Sequence, residues 1–197
     1  MYDVIIVGAG PAGLTASLYS GRSKLKTRVL EKLSAGGQLL LTEGIENFPG
    51  VYQMNSLGWV ETLKKQLADL KDVEITEDVK VEKVEGQNDF FKTHIAFHAN
   101  GHREILESHS VIVATGAQPR RLGIPGEEKF IGRGVSYCAT CDGPFFKDKV
   151  IVLVGGGDTA IEEALYLRRF VKKVTVVHRR DALRDAAILQ ERAKADE

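Results

Sequence analysis

Apolar positions fall into two blocks of the same design. Val4 to Val7 form a short β-branched run, Leu14 and Leu18 recur at helical spacing, and the stretch TRVLEK, Thr27 to Lys32, is apolar again. Such a run predicts a buried parallel strand, and the recurrence a helix after it. The order returns later: Val150 to Val154, then Ile161, Ala164, Leu165 and Arg168 at helical spacing, then KVTVVHRRD. Between the blocks, Leu63, Leu67 and Leu70 lie on one side of an amphipathic helix predicted over 57–70. VEITEDVKVEKVEG and FFKTHIAFHANG read as strands around a turn at 86–89, and SVIVATGAQPR as a further buried strand ending in a glycine turn at Gly116. GAQPRRLGIPG, residues 116–126, has two prolines and three glycines and is expected to be a hinge. The chain therefore divides into domains expected at 1–117 and 118–197.

Each block carries a glycine turn between its strand and its helix. In the first, Gly8, Gly10 and Gly13 give G-x-G-x-x-G, with Ala12 inside the motif and Pro11 at the helix start, where its missing N–H costs little. Small residues there let the backbone approach a pyrophosphate, and the helix N-terminus supplies free N–H groups and positive potential. The following strand ends in Glu31, 23 positions after Gly8, where a carboxylate can accept hydrogen bonds from an adenosine ribose. In the second, Gly155, Gly157 and Ala160 give G-x-G-x-x-A, with Asp158 and Thr159 inside the motif, and His178 stands 23 positions after Gly155. Glu31 would repel a 2′-phosphate. His178, Arg179 and Arg180 would attract one, with Arg184 expected a helical turn beyond, so the second site is read as one for NADP(H). Two such sites suggest a flavin and a nicotinamide, one delivering hydride and the other taking it. The fold class is α/β: two Rossmann-like, three-layer dinucleotide-binding units with a small antiparallel β-meander, the second unit incomplete.

Composition sets bounds on partners. The 197 residues carry 27 Lys plus Arg against 27 Asp plus Glu, a net charge of zero, which argues against nucleic-acid or anionic-membrane binding as the main task. No apolar run approaches the roughly 20 residues of a membrane span, and the N-terminus lacks the basic region of a signal peptide. With only two cysteines a disulfide framework is not expected, and the cytoplasm is the expected compartment. His94, His98 and His102 share a strand face, but their neighbours read as a solvated sheet and no metal is expected.

Those two cysteines, Cys138 and Cys141, lie three positions apart between the hinge and the second glycine turn. A zinc knuckle needs four ligands, and no second pair exists. A disulfide over so short a loop stabilises little. Two unpaired buried cysteines remain the plain alternative. A redox-active dithiol fits best, because one thiolate can resolve a mixed disulfide left by the other. Asp142, next to Cys141, is placed to carry protons.

Gly8–Gly13, GGQL at 36–39, GIENFPG at 44–50, ATGA at 114–117, CATCDG at 138–143, GGGDTAIEEALYL at 155–167 and HRRD at 178–181 stand in the order of the low-molecular-weight thioredoxin reductases of bacterial and archaeal type, which the chain resembles nearly end to end. The resemblance implies FAD on the first unit, with Gly37, Gln38, Asn47, Val81, Ala114, Thr115 and Gly116 lining its site, and NADPH on the second. It implies electron flow from NADPH through FAD and the cysteine pair to a thioredoxin-like protein disulfide. In it Cys138 attacks the partner, Cys141 lies nearer the flavin, and Asp142 is the acid/base. A homodimer is the expected assembly of the full-length protein. Members of the family continue past the position of Glu197 and return to the FAD unit with a "GD" segment, so the chain is read as a piece of a longer protein, with flavin binding and turnover expected of the whole. The alternatives are the flavoprotein component of a peroxide-reducing system, whose members carry extra domains ahead of the flavin unit, and a nucleotide-binding module without turnover.

Overall fold

The computed structural model describes residues 1–195. It divides the chain into two compact units, Met1–Gln118 and a second from Pro119 onward.

The first unit is built on strand β1, Tyr2–Val7, which runs into helix α1, Pro11–Arg22, and strand β2, Thr27–Leu30. A hairpin of β3, Gly44–Ile45, and β4, Met54–Asn55, leads to helix α2, Ser56–Ala68, and then come β5, Val73–Thr76, β6, Val79–Gly86, β7, Phe91–Phe97, and β8, Arg103–Val113. The sheet order is β5-β2-β1-β8-β7-β6. Its first four strands are parallel and its last two pairings antiparallel. The alternation of β1 explains its central place. Val4 and Ile6 pack with Leu14 of α1 and with Val60, Leu63 and Leu67 of α2. Ile5 turns to the other face and packs with Leu30, Val79, Ile95 and Leu106. Ile5 and Ile6 are fully buried, each contributing about 1.5–3 kcal/mol from that burial.

Helix α2 starts one residue earlier than the leucine spacing predicts, because the Asn55 side chain caps it by accepting from Gly58 N (3.2 Å). It also ends before Leu70, which packs against the core from outside the helix. Strand β8 differs more. It begins at Arg103, and its charged positions conceal the alternation that buries Leu106 and Ser108. Its first half pairs with β7 and its second half with β1, so the meander and the parallel strands form one sheet. Its end is not the buried strand expected: Ile112 and Val113 are exposed.

In the second unit, short helices α3, Glu127–Phe130, and α4, Ala139–Asp142, precede a 3-10 turn at Gly143–Phe146. Strand β9, Val150–Val154, helix α5, Asp158–Leu167, strand β10, Lys173–Val177, and helix α6, Ala187–Lys194, follow. β9 and β10 are parallel, and Leu153 packs with Ala139 and Leu167. On the opposite face Val150 and Val152 are each 63% exposed. Residues 178–186 are irregular, so Arg184 does not stand a helical turn beyond Arg180 as expected; α6 begins only at Ala187. Among the described residues no helix is long and apolar enough to cross a membrane, and no three His, Cys, Asp or Glu residues are grouped to hold a metal. His94 faces Glu85 instead, with Nε2 2.6 Å from Oε2, and His102 stacks on Phe97.

A carboxylate ties the start of this unit together. Glu127, 5% exposed, accepts from Leu122 N and Gly123 N, both at 2.7 Å, and from the Tyr137 hydroxyl. The Tyr137 hydroxyl foremost, then the Leu122 N–H, holds the Glu127 carboxyl below its ordinary 4.5 and outweighs the opposing effect of burial.

Two outcomes follow for stability. A Cβ on Gly13 would meet Gly8 O at 1.8 Å, so Gly13→Ala is expected to cost about 3 kcal/mol in urea denaturation. Since the folded Glu127 titrates below 4.5, its contribution is complete above that pH and is lost as pH falls through the folded value. Glu127→Gln is therefore expected to be less stable at pH 7 and to lose less than the parent on acidification to pH 4, as measured by denaturation at both pH values.

Candidate functional site: two glycine turns and a cysteine pair

The first turn is formed by backbone packed on backbone. Gly8 has φ +103°, and a Cβ on it would meet Ala114 O at 2.2 Å. Gly8 N donates to Leu30 O and Ala114 N to Val7 O, both at 2.8 Å, so β1, β2 and the end of β8 converge on one peptide. Gly10 precedes α1 with no side-chain cap, leaving the first helical N–H groups to an outside partner. Gly37 lies against it: a Cβ on Gly37 would meet Gly10 Cα at 2.9 Å, and Gly36 N donates to Ala9 O. Ala12 is exposed at the mouth of the turn. Glu31 reaches back, with Oε2 accepting from Ala9 N (2.7 Å) and Oε1 from Leu33 N (3.1 Å). Gln38 Nε2 donates to Ala117 O at 2.9 Å, which ties Gly37–Gln38 to the exposed Thr115–Gly116 segment. The structure thus gathers Gly8, Gly10, Gly13, Glu31, Gly37, Gln38 and the Ala114–Gly116 turn. Asn47 stands on the exposed stretch between β3 and β4, and Val81 on β6 packs against the core around Ile5.

One carboxylate of this region was not singled out by its spacing. Glu77 accepts from Ala35 N (2.8 Å) and Lys64 Nζ (3.0 Å), and the Ala35 N–H is the first cause holding its carboxyl below the ordinary value.

In the second turn, Gly155 N donates to Val177 O, and a Cβ on Gly155 would meet that of Ala160 at 2.6 Å, which explains why the third motif position is small. Gly157 precedes α5, again without a side-chain cap. Gly156, which the motif leaves unspecified, is buried: a Cβ there would meet His178 Nδ1 at 2.4 Å. Gly156 O accepts from Arg184 N (2.7 Å), and the Asp158 carboxylate accepts from Ala186 N (2.7 Å), so the 178–186 segment folds over the turn. His178 Nε2 is buried without a hydrogen-bond partner. Thr159, Arg179, Arg180 and Arg184 are exposed, and among the described residues no carboxylate pairs with these three arginines. An unpartnered imidazole nitrogen and three free guanidinium groups suit a phosphate-bearing ligand.

Cys138 and Cys141 are joined in a disulfide, which removes the alternative of two unpaired buried cysteines. Cys138 stands at the start of α4, where its Sγ accepts from Cys141 N (3.1 Å) and lies 3.3 Å from Thr140 Oγ1. Cys141 is exposed. Asp142 N donates to Cys138 O (3.1 Å), and the Asp142 carboxylate accepts from Ser136 Oγ (2.5 Å). Below the loop Glu163 of α5 accepts from Ala139 N (3.2 Å), and burial pushes its carboxyl above the ordinary range. Glu163 shares the packed stripe of α5 with Ala160, Ala164 and Leu167, and an acidic residue at such spacing is the signal by which it could have been found. Ser136 carries no comparable signal.

A family model described as pyridine nucleotide-disulphide oxidoreductase matches residues 2–196. The thioredoxin reductase of Listeria monocytogenes is 46% identical over 200 residues, an alignment covering all of this chain and 59% of that protein. That of Treponema pallidum is 46% identical over 192 residues, covering 97% and 60%. The crystal structure of Lactococcus lactis thioredoxin reductase superposes with a TM-score of 0.91 at 45% identity, covering all of this chain and 62% of that one. The chain thus spans about three fifths of the length of the curated relatives it matches. The matched model spans both glycine turns and the cysteine pair, and the chain belongs to the pyridine nucleotide-disulphide oxidoreductase family.

Proposed function

We propose that this chain carries the redox centre of an NADPH-dependent, FAD-containing disulfide reductase that acts on thioredoxin or a similar small redox protein. The observation that carries the reading is the bonded pair, Cys138 half-buried and Cys141 exposed, with Asp142 beside it, in the same unit as a glycine turn flanked by unpaired arginines. The thioredoxin reductases among its relatives support the substrate class.

In this reading residues 1–117 form the FAD unit and the residues from 118 the NADPH and disulfide unit. Gly8, Gly10 and Gly13 give FAD the close backbone approach that a pyrophosphate needs, and the uncapped start of α1 offers it N–H donors. Glu31 holds the turn through Ala9 N and presents its carboxylate to the ribose, with Gly37, Gln38, Asn47, Val81 and Ala114–Gly116 as the further lining. Gly155, Gly157, Asp158 and Thr159 receive the NADPH pyrophosphate, and His178, Arg179, Arg180 and Arg184 its 2′-phosphate. When bound, the flavin supplies a two-electron link between the nicotinamide and the cysteine pair. Two electrons and two protons open the Cys138–Cys141 bond to a dithiol. Cys138 then attacks the partner disulfide, Cys141 displaces the partner from the mixed disulfide, and Asp142 carries the protons.

In the holoenzyme, Cys138→Ser or Cys141→Ser is expected to abolish reduction of thioredoxin disulfide while NADPH oxidation by ferricyanide persists. Steady-state assays with both acceptors check this, and unchanged thioredoxin reduction would sink the reading. Replacing Arg179 and Arg180 together by Ala is expected to lower kcat/KM for NADPH by roughly 100- to 10,000-fold, from loss of two charge-assisted hydrogen bonds of roughly 1.5–3 kcal/mol each, and to leave that for NADH nearly unchanged. Equal losses for the two coenzymes would refute the assignment.

A further inference from the structure

We propose that Ser136 is a positioning residue for dithiol exchange: its hydroxyl lets Asp142 take up and release a proton without any movement of the cysteine loop. The inference rests on the disulfide-reductase reading and on Asp142 as its proton carrier.

Three contacts define the hydroxyl. Ser136 Oγ lies 2.5 Å from Asp142 Oδ2, accepts from Cys138 N at 3.1 Å, and lies 3.2 Å from Cys138 O. A serine hydroxyl has one proton and two lone pairs. With Asp142 ionised, the proton goes to Oδ2, and a lone pair takes the Cys138 N–H. With Asp142 protonated, the carboxyl O–H donates to Oγ, and the serine proton turns to Cys138 O. Cys138 O has a second lone pair for this, since its other bond is to Asp142 N. In both states every N–H and O–H of these three groups has an acceptor, with the heavy atoms where they are. The neighbouring ionisable groups are engaged elsewhere: Glu163, which α5 brings to the loop, with Ala139 N, and Tyr137 with Glu127.

Exchange requires such a carrier twice per cycle. The Cys138 thiol gives its proton to Asp142 and its sulfur attacks one sulfur of the partner disulfide. The Cys138–partner bond forms, the partner disulfide breaks, and the departing partner sulfur takes the proton from Asp142. The Cys141 thiol then gives its proton to Asp142 as its sulfur attacks Cys138 Sγ. The Cys138–Cys141 bond forms, the mixed disulfide breaks, and the second partner sulfur takes that proton. The pair is oxidised by two electrons, the partner is reduced by two electrons and two protons, and Asp142 ends ionised.

The test compares Ser136→Ala, Ser136→Thr and Asp142→Asn holoenzymes with NADPH and thioredoxin disulfide. Ser136→Ala is expected to lower kcat about tenfold with KM for thioredoxin unchanged, and Ser136→Thr to restore most of it. In the Asp142→Asn background, Ser136→Ala is expected to cost nothing more. Wild-type kcat in Ser136→Ala, a loss that threonine does not restore, a parallel rise in KM, or additive losses in the double variant would each overturn the inference. A Ser136→Ala protein that does not load flavin or melt like its parent would also overturn it, by making the residue structural. Failure of the unaltered holoenzyme to reduce thioredoxin would instead overturn the disulfide-reductase reading beneath it.

Discussion

At the end of β1 there is room for backbone and nothing else. Gly8 lies against Ala114 O, Gly13 against Gly8 O, and Gly37 against Gly10 Cα, all closer than a side chain allows. That contact sets how near α1 comes to the sheet, where β8 ends, and where the Gly36–Gln38 turn sits. The hydrogen bonds from Gly8 N to Leu30 O and from Ala114 N to Val7 O then register three strands against one peptide unit. The first N–H groups of α1 start at this junction without a side-chain cap, so the constraint that builds the fold also shapes the turn proposed to take the pyrophosphate. The second unit repeats it with Gly155 against Ala160, where a methyl group is tolerated in place of the third glycine.

Loops in both units are held by carboxylates that accept main-chain N–H groups. Glu31 takes Ala9 and Leu33, Glu77 takes Ala35, Glu127 takes Leu122 and Gly123, and Glu163 takes Ala139. An irregular segment cannot satisfy its own donors as a helix or ladder does, and a charge-assisted bond is the strong way to do it from outside. The cysteine loop is held from one side in this way, by Glu163 through Ala139 N, and from the other by the Asp142 carboxylate accepting from Ser136 Oγ, which in turn accepts from Cys138 N.

What could be read from the chain alone follows from which constraints are local. The two strand–turn–helix blocks were legible because a tight junction forbids side chains at fixed spacing, and that spacing survives in the sequence. The position of Glu31 was legible for the same reason, but its bonds to Ala9 and Leu33 were not, since they depend on the path of the turn. Burial of Gly156 was missed because the motif leaves that position open, and only the His178 ring folding onto it shows why it is glycine. The pattern places the start of β8 near Ser110, because Arg103 and Glu107 lie on its solvent face and Glu104 breaks the apolar run of the other. The spacing puts Arg184 on a helical turn that the chain does not form. Ser136 and Glu127 matter through partners brought together by loops, and loops have no periodicity to read.

The dual pairing of β8 bears on how the chain reaches this state. Ser110 Oγ bonds Asp3 O across 107 residues, and Val111 stands beside Ile5 in the same ladder. The central strand is therefore synthesised well before the strand that completes its second edge. While residues 8–102 emerge, β1 has β2 on one side and an open edge on the other. A β-branched strand with its one charge, Asp3, at the start and an open edge is the kind of segment that pairs with the wrong chain. Closing so long a loop also delays the contact relative to the local α1 and β2 packing. The meander beyond β8 is cheap to form, because β6, β7 and β8 are consecutive hairpins. The strand that serves two ladders is thus the seam between a set of consecutive hairpins and a set of strands far apart in the chain.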